Sequence, residues 1–149
     1  NRLSKELNLF DHELSILDSE QSNIFWGRTK NLEVFKSLKS NLLRIVLPIS
    51  ETLQVIQKIK NFEIKYFIDW GGSLIWASFD QLNTKILSEI KYIVKKHQGY
   101  ITLIKVEEDL KASADIFTID PIKYKISEKI KRSFDPKRIF NPGKMYTGI

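Results

Sequence analysis

Phe62-Glu63-Ile64-Lys65-Tyr66-Phe67-Ile68-Asp69-Trp70-Gly71-Gly72-Ser73-Leu74-Ile75-Trp76-Ala77-Ser78-Phe79 is the stretch that decides the fold. Phe62, Ile64, Tyr66, Ile68 and Trp70 alternate with Glu63, Lys65, Phe67 and Asp69, the period of two that marks a strand. Gly71-Gly72 reads as a two-residue hairpin loop. Pairing across it sets Ile68 opposite Ile75 and Tyr66 opposite Ala77 on an apolar face. It sets Phe67 opposite Trp76 on the other face, where charges otherwise sit. That pair is either a simple cross-strand pair or the adhesive part of an interface.

The flanking sequence supplies the rest of a sheet and its helices. Asn41 to Leu47 reads as a strand ended by Pro48, with Leu43, Ile45 and Leu47 on one face and Leu42, Arg44 and Val46 on the other. Arg44 is either a rim arginine whose stem covers apolar surface or a planar fork for a carboxylate. Ser50 is expected to cap a helix to about Lys60, with Leu53, Ile56 and Ile59 inward. Leu82 to His97 reads as an amphipathic helix with Leu82, Ile86, Ile90, Ile93, Val94 and His97 on one stripe. Gly99 ends it, and the helix dipole favours His97 at that end. Tyr100 to Val106 is a further strand and Glu107 to Ala112 a weak helix. Asp120 caps and Pro121 opens a last helix, expected to turn Ile122, Ile126 and Ile130 inward. Before all this, Asn1 to Phe10 reads as helix and Glu13 to Asp18 as a short strand. Ser19 caps a helix-like stretch in which Ile24, Phe25 and Trp26 are read as packing side chains. The order is that of an α+β domain: an antiparallel sheet with helices packed on one face.

Composition narrows the chemistry. The 149 residues are one domain's worth of chain, with no cysteine and two histidines, His12 and His97. Disulfides, cysteine-based zinc and iron–sulfur ligation are excluded for this chain, and no metal site is expected. No apolar run nears the roughly 18 residues of a membrane helix. There is no glycine-rich phosphate loop and no supported Ser/His/Asp arrangement. The net charge is +6, but the lysines are spread along the chain instead of clustering with aromatics, which argues against a nucleic-acid partner. The chain begins at Asn1 with no visible leader and is expected to be a piece of something longer.

The tail, Ser133-Phe134-Asp135-Pro136-Lys137-Arg138-Ile139-Phe140-Asn141-Pro142-Gly143-Lys144-Met145-Tyr146, is built to be tied down. Pro136 stops a helix, Asn141-Pro142-Gly143 reads as a tight turn, and Ile139 and Phe140 need something to bury against. This tail resembles the closing signature of FAD-linked oxidases of the vanillyl-alcohol-oxidase type. Leu43-Arg44-Ile45-Val46-Leu47-Pro48 and Asp69-Trp70-Gly71-Gly72-Ser73-Leu74-Ile75-Trp76 are similar to stretches of the E-type subunits of bacterial glycolate oxidases. The resemblance covers roughly Phe25 to Tyr146 and departs from that pattern at Ile75 and Lys144. It implies a ferredoxin-like cap domain over residues 1–132 and a tail, residues 133–149, that returns to an FAD-binding domain this chain does not contain. It implies oxidation of glycolate to glyoxylate with hydride passing to FAD, and a fragment that is inactive alone. It puts Asn141, Pro142 and Gly143 near the flavin, with Arg44, Trp70 and Trp76 as candidates for the pocket or the domain interface. Phe67 with Trp76 gains a third reading, an aromatic wall over a ring system. A second flavin subunit and an iron–sulfur subunit are the implied partners, in the cytoplasm or on the inner face of the membrane. A different class stays open: a basic α+β interaction module for RNA or a protein, with Phe67 and Trp76 as a stacking platform.

Overall fold

The computed structural model describes residues 15–36, 41–107, 109–110, 116–118, 120–144 and 146. The chain divides into two compact units, Asn1–Ser37 and Leu38–Ile149.

In the first unit, helix α1 (Ser19–Lys30) is capped by Asp18, not by Ser19. The Asp18 carboxylate accepts the Gln21 N–H at 2.8 Å, and Gln21 Oε1 accepts the Asp18 N–H at 3.1 Å. This reciprocal pair satisfies two donors that a helix start otherwise leaves orphaned. Residues 15–18 are therefore not a strand, against the expectation for Glu13 to Asp18. The expected first helix, and residues 13 and 14, lie outside the described residues. Ile24, Phe25 and Trp26 are exposed on α1, and Phe25 and Trp26 meet each other edge to face with ring centroids 5.3 Å apart.

The second unit holds a four-stranded antiparallel sheet in the order β2-β3-β1-β4. The strands are β1 (Asn41–Val46), β2 (Ile64–Asp69), β3 (Leu74–Phe79) and β4 (Tyr100–Lys105). Helix α2 (Ile49–Ile59) joins β1 to β2, and helix α3 (Thr84–Lys96) joins β3 to β4. The register is the expected one: Phe67 faces Trp76, Ile68 faces Ile75, and Tyr66 faces Ala77. The loop is longer than expected. Trp70, Gly71 and Gly72 all take positive φ, and the Ser73 N–H donates to the Trp70 carbonyl at 3.3 Å, so the tight turn sits on Gly71-Gly72 while Trp70 and Ser73 also leave the ladder and four residues connect the strands. The register survives because both loops share one centre, between Gly71 and Gly72.

One face of the sheet carries the core. Leu43, Ile45, Ile75, Ala77, Phe79, Ile101 and Leu103 meet Val55, Ile56 and Ile59 of α2 and Leu87, Ile90 and Val94 of α3. Each such aliphatic side chain, fully withdrawn from water, contributes about 1.5–3 kcal/mol. Helix α2 departs from expectation twice. Pro48 stands at its N-cap with no side-chain cap bond, so Ser50 lies inside the helix. Thr52, Val55, Ile56 and Ile59 turn inward, whereas Leu53 is 66% exposed. In α3 the expected stripe holds, and Asn83 caps its start through the Ile86 N–H. At its end Gln98, not Gly99, takes the left-handed conformation, at φ 59°. Gly99 is needed for space: a Cβ there would lie 2.9 Å from the Val46 carbonyl oxygen and 3.0 Å from Leu47 Cβ. His97 has more than the dipole. Its Nδ1 lies 2.6 Å from Glu51 Oε2 and its Nε2 lies 2.7 Å from Lys58 Nζ, which locks α3 to both ends of α2. An ammonium can only donate, so Nε2 accepts and the Nδ1–H points at the carboxylate.

Strand β2 is an edge, and its nominally apolar Tyr66 and Ile68 are both exposed. The β4 edge is covered. Leu103 N–H donates to the Ile116 carbonyl at 2.8 Å, and Thr118 N–H to that of Ile101 at 3.1 Å. Helix α4 (Pro121–Phe134) starts as the sequence indicates, with the Asp120 carboxylate accepting the Ile122 N–H at 2.8 Å. Its apolar stripe does not turn inward. Ile122, Ile126, Ile130 and Phe134 are 70%, 53%, 54% and 86% exposed, and none of its residues is buried. Periodicity specifies that a helix has an apolar face, not what covers it. Among the described residues no helix is long and apolar enough to cross a membrane.

Candidate functional site

The pleat gives the sheet a second face, whose residues stand outside the main core cluster. Strand pairing lines up a single row across it. Phe67 faces Trp76, Trp76 faces Arg44, Arg44 faces Thr102, and Thr102 bridges to Phe117 beyond the β4 edge. The row therefore runs aromatic, aromatic, guanidinium, hydroxyl, aromatic. Phe67, Trp76, Arg44 and Thr102 are each half-buried. The Phe67 and Trp76 rings are tilted, with centroids 6.5 Å apart.

Arg44 is the one cation in this row. Its Cζ lies 4.8 Å over the ring of Trp70, which the hairpin loop delivers from the end of β2. Among the described residues no carboxylate pairs with Arg44 and no carbonyl accepts from it. A guanidinium has five N–H donors in a planar fork, so this one can meet an anion edge-on while the indole attracts its charge. Arg44 from one stretch of sequence and Trp70 and Trp76 from another are thus brought together.

The other three candidates form a separate feature. The Lys144 N–H donates to the Asn141 carbonyl at 3.3 Å, closing the turn read from Asn141-Pro142-Gly143. Gly143 has φ 69°, as the third position of that turn requires. All three residues are exposed. No hydrogen bond, ion pair or ring contact joins them to Arg44, Trp70 or Trp76.

The residue that shapes the tail was read only as part of a helix stop. Asp135 is buried. Its Oδ1 accepts the Ile139 N–H and its Oδ2 the Phe140 N–H, both at 2.9 Å, and Lys131 Nζ lies 2.8 Å from Oδ2. Lys131 also donates to the Phe140 carbonyl. The Lys131 hydrogen bond, against the opposing effect of burial and with help from the two backbone donors, holds the Asp135 carboxyl down at about 2. The chain is thereby folded back at residues 135–140, while Ile139 and Phe140 are each left 67% exposed. Beyond the turn Tyr146 is buried, its ring 5.9 Å from both Phe117 and Tyr124. An acid four and five residues before the two amides it caps is the local signal for such a loop, and it is visible only when read as a cap and not as a stop.

Comparison with known proteins bears on these two features. Residues 117–145, which include α4 and most of the tail, match the model for FAD linked oxidases, C-terminal domain. The tail and α4 are thus similar to the C-terminal domain of the FAD-linked oxidases. The chain is also 28% identical over 133 residues to glycolate oxidase subunit GlcE of Escherichia coli (strain K12), a match over 87% of this chain. It resembles the C-terminal part of a GlcE-like protein, and spans about a third (33%) of the length of that relative. No solved structure matches the chain.

Proposed function

We propose that this chain is the cap portion of an FAD-dependent 2-hydroxy-acid oxidoreductase subunit of the glycolate oxidase type, with its β-α-β-β-α-β unit as a ferredoxin-like cap. The observation that carries this reading is the uncovered apolar surface of α4 and the tail. Ile122, Ile126, Ile130, Phe134, Ile139 and Phe140 are all more than half exposed, within the residues that match the oxidase family. Four ridged apolar side chains and a pre-folded loop suit a partner surface and are poorly suited to water. The partner is a flavin-carrying domain of the same subunit, and residues 133–149 return to it.

The residues present fit FAD as contributors, not as its main holders. The described residues include no helix-mounted glycine-rich cradle for a pyrophosphate. The Asn141-Pro142-Gly143 turn is open, and a Cβ at Gly143 would meet nothing within 4 Å, so backbone can approach a flat ring there. FAD supplies the hydride acceptor when glycolate becomes glyoxylate. The chain's own part is to bind, orient and exclude water. Arg44 holds the carboxylate, and Trp76 and Phe67 wall the ring system. The open sheet row offers no general base, so the hydroxyl proton is taken by a group of the flavin-carrying part. A second flavin subunit and an iron–sulfur subunit complete the complex, in the cytoplasm or on the inner face of the membrane.

The test is flavin content. The polypeptide as the cell makes it should purify with stoichiometric FAD, and the 149-residue chain alone should be colourless and inactive. A yellow chain with one bound flavin, or a whole polypeptide with none, would contradict the proposal.

A further inference from the structure

We propose that Trp70 is a positioning residue that clamps the Arg44 fork for the carboxylate of a small 2-hydroxy acid. The proposal rests on the reading of the open sheet face as a substrate wall. Trp70 sits at φ 53°, in the left-handed region that large side chains avoid. Its neighbour Gly71, at φ 61°, adopts that region freely. A bulky residue is held in the strained place by its surroundings. The Asp69 carboxylate accepts the Trp70 N–H at 2.7 Å, and the Ser73 hydroxyl donates to the Trp70 carbonyl at 3.0 Å. Thr52 of α2 donates its hydroxyl to the Gly72 carbonyl, which anchors the loop to the core layer.

The product of this arrangement is one guanidinium carbon held 4.8 Å over an indole ring. Trp70 remains 59% exposed, so its own burial does not account for the strained placement. Attraction to an aromatic face consumes no N–H donor of arginine, so the fork can still take a carboxylate in two parallel hydrogen bonds. A free arginine side chain gives up rotamer entropy when a ligand fixes it. With the ring in place, much of that ordering is done before the ligand arrives.

The experiment measures binding of radiolabelled glycolate by equilibrium dialysis, with the polypeptide as the cell makes it. Trp70→Ala should weaken binding about tenfold, or ~1.4 kcal/mol. Trp70→Phe, which keeps a ring, should stay within about threefold of the parent. Ser73→Ala, which loosens the loop and keeps the indole, should fall between them. In turnover Trp70→Ala should raise KM with much less change in kcat, as expected for a group that binds ground and transition states alike. Parent-like binding by Trp70→Ala, or a loss in Trp70→Phe as large as in Trp70→Ala, would overturn the clamp. So would a parent protein that binds no glycolate. Glycolate binding in a polypeptide that carries no FAD would sink the flavin reading and leave the clamp standing.

Discussion

Replacing Gly99 by alanine adds one methyl group where the end of α3 meets β1. Gly99 is not in the left-handed region, so on backbone grounds alone the change should stabilise by about 0.4–1 kcal/mol, by stiffening the unfolded chain. Contacts decide the sign the other way. The new Cβ would sit 2.7 Å from Val94 Cγ1, 2.9 Å from the Val46 carbonyl oxygen and 3.0 Å from Leu47 Cβ. Val94 can turn its side chain, but the carbonyl is backbone of a strand paired on both sides and cannot retreat alone. Overpacking of this kind costs about 1–3 kcal/mol, so a net loss of about 1–2 kcal/mol remains. At about 2 cal/mol/K of unfolding entropy per residue, that lowers the melting temperature of the unit by roughly 4–9 °C. Thermal and urea melts followed by circular dichroism measure it. An unchanged or raised melting temperature in Gly99→Ala would refute the reasoning, because it would mean the two layers do not approach as closely as the structure has them.

Other perturbations read the same structure. Val55→Ala should cost about 2 kcal/mol because Val55 is fully buried, whereas Leu53→Ala, at an exposed site, should stay within about 0.5 kcal/mol; urea midpoints compare them. The tail loop should respond to acid. The Asp135 carboxyl is depressed from 3.8 to about 2, so its contribution is complete above its ordinary value and is lost as pH falls through about 2. Amide resonances of Ile139 and Phe140 should report that loss, and Asp135→Asn should reproduce it at neutral pH. If the open aromatic pair were an RNA platform, single-stranded RNA would bind with strong salt dependence and Phe67→Ala would abolish it. The expected result in a filter-binding titration is no such binding.

Much of the fold was legible because its signals are local. Period-two alternation placed β2 and β3, and the shared loop centre gave the register even though the loop length was misread. The Asp120–Pro121 start of α4 and the α3 stripe were equally plain. Leu53 and Val55 were harder, since both fit a helical stripe and the sheet chooses between them. The His97 bonds to Glu51 and Lys58 join residues 46 and 39 positions apart, which no local pattern encodes. At the site, Trp70 and Trp76 share one hairpin legible in the sequence, and only the strand order β2-β3-β1-β4 brings Arg44 to them. The outward stripe of α4 was misread for a physical reason: apolar periodicity promises a covering surface without saying which chain provides it.

Amide hydrogen exchange across residues 133–146, compared between the 149-residue chain alone and the polypeptide as the cell makes it, tests the central claim most directly. Docking against a flavin-carrying domain should slow exchange at Ile139, Phe140 and the Asn141–Lys144 turn by an order of magnitude or more in the whole polypeptide. Equal exchange in the two would mean that the tail meets nothing there, and would contradict the account.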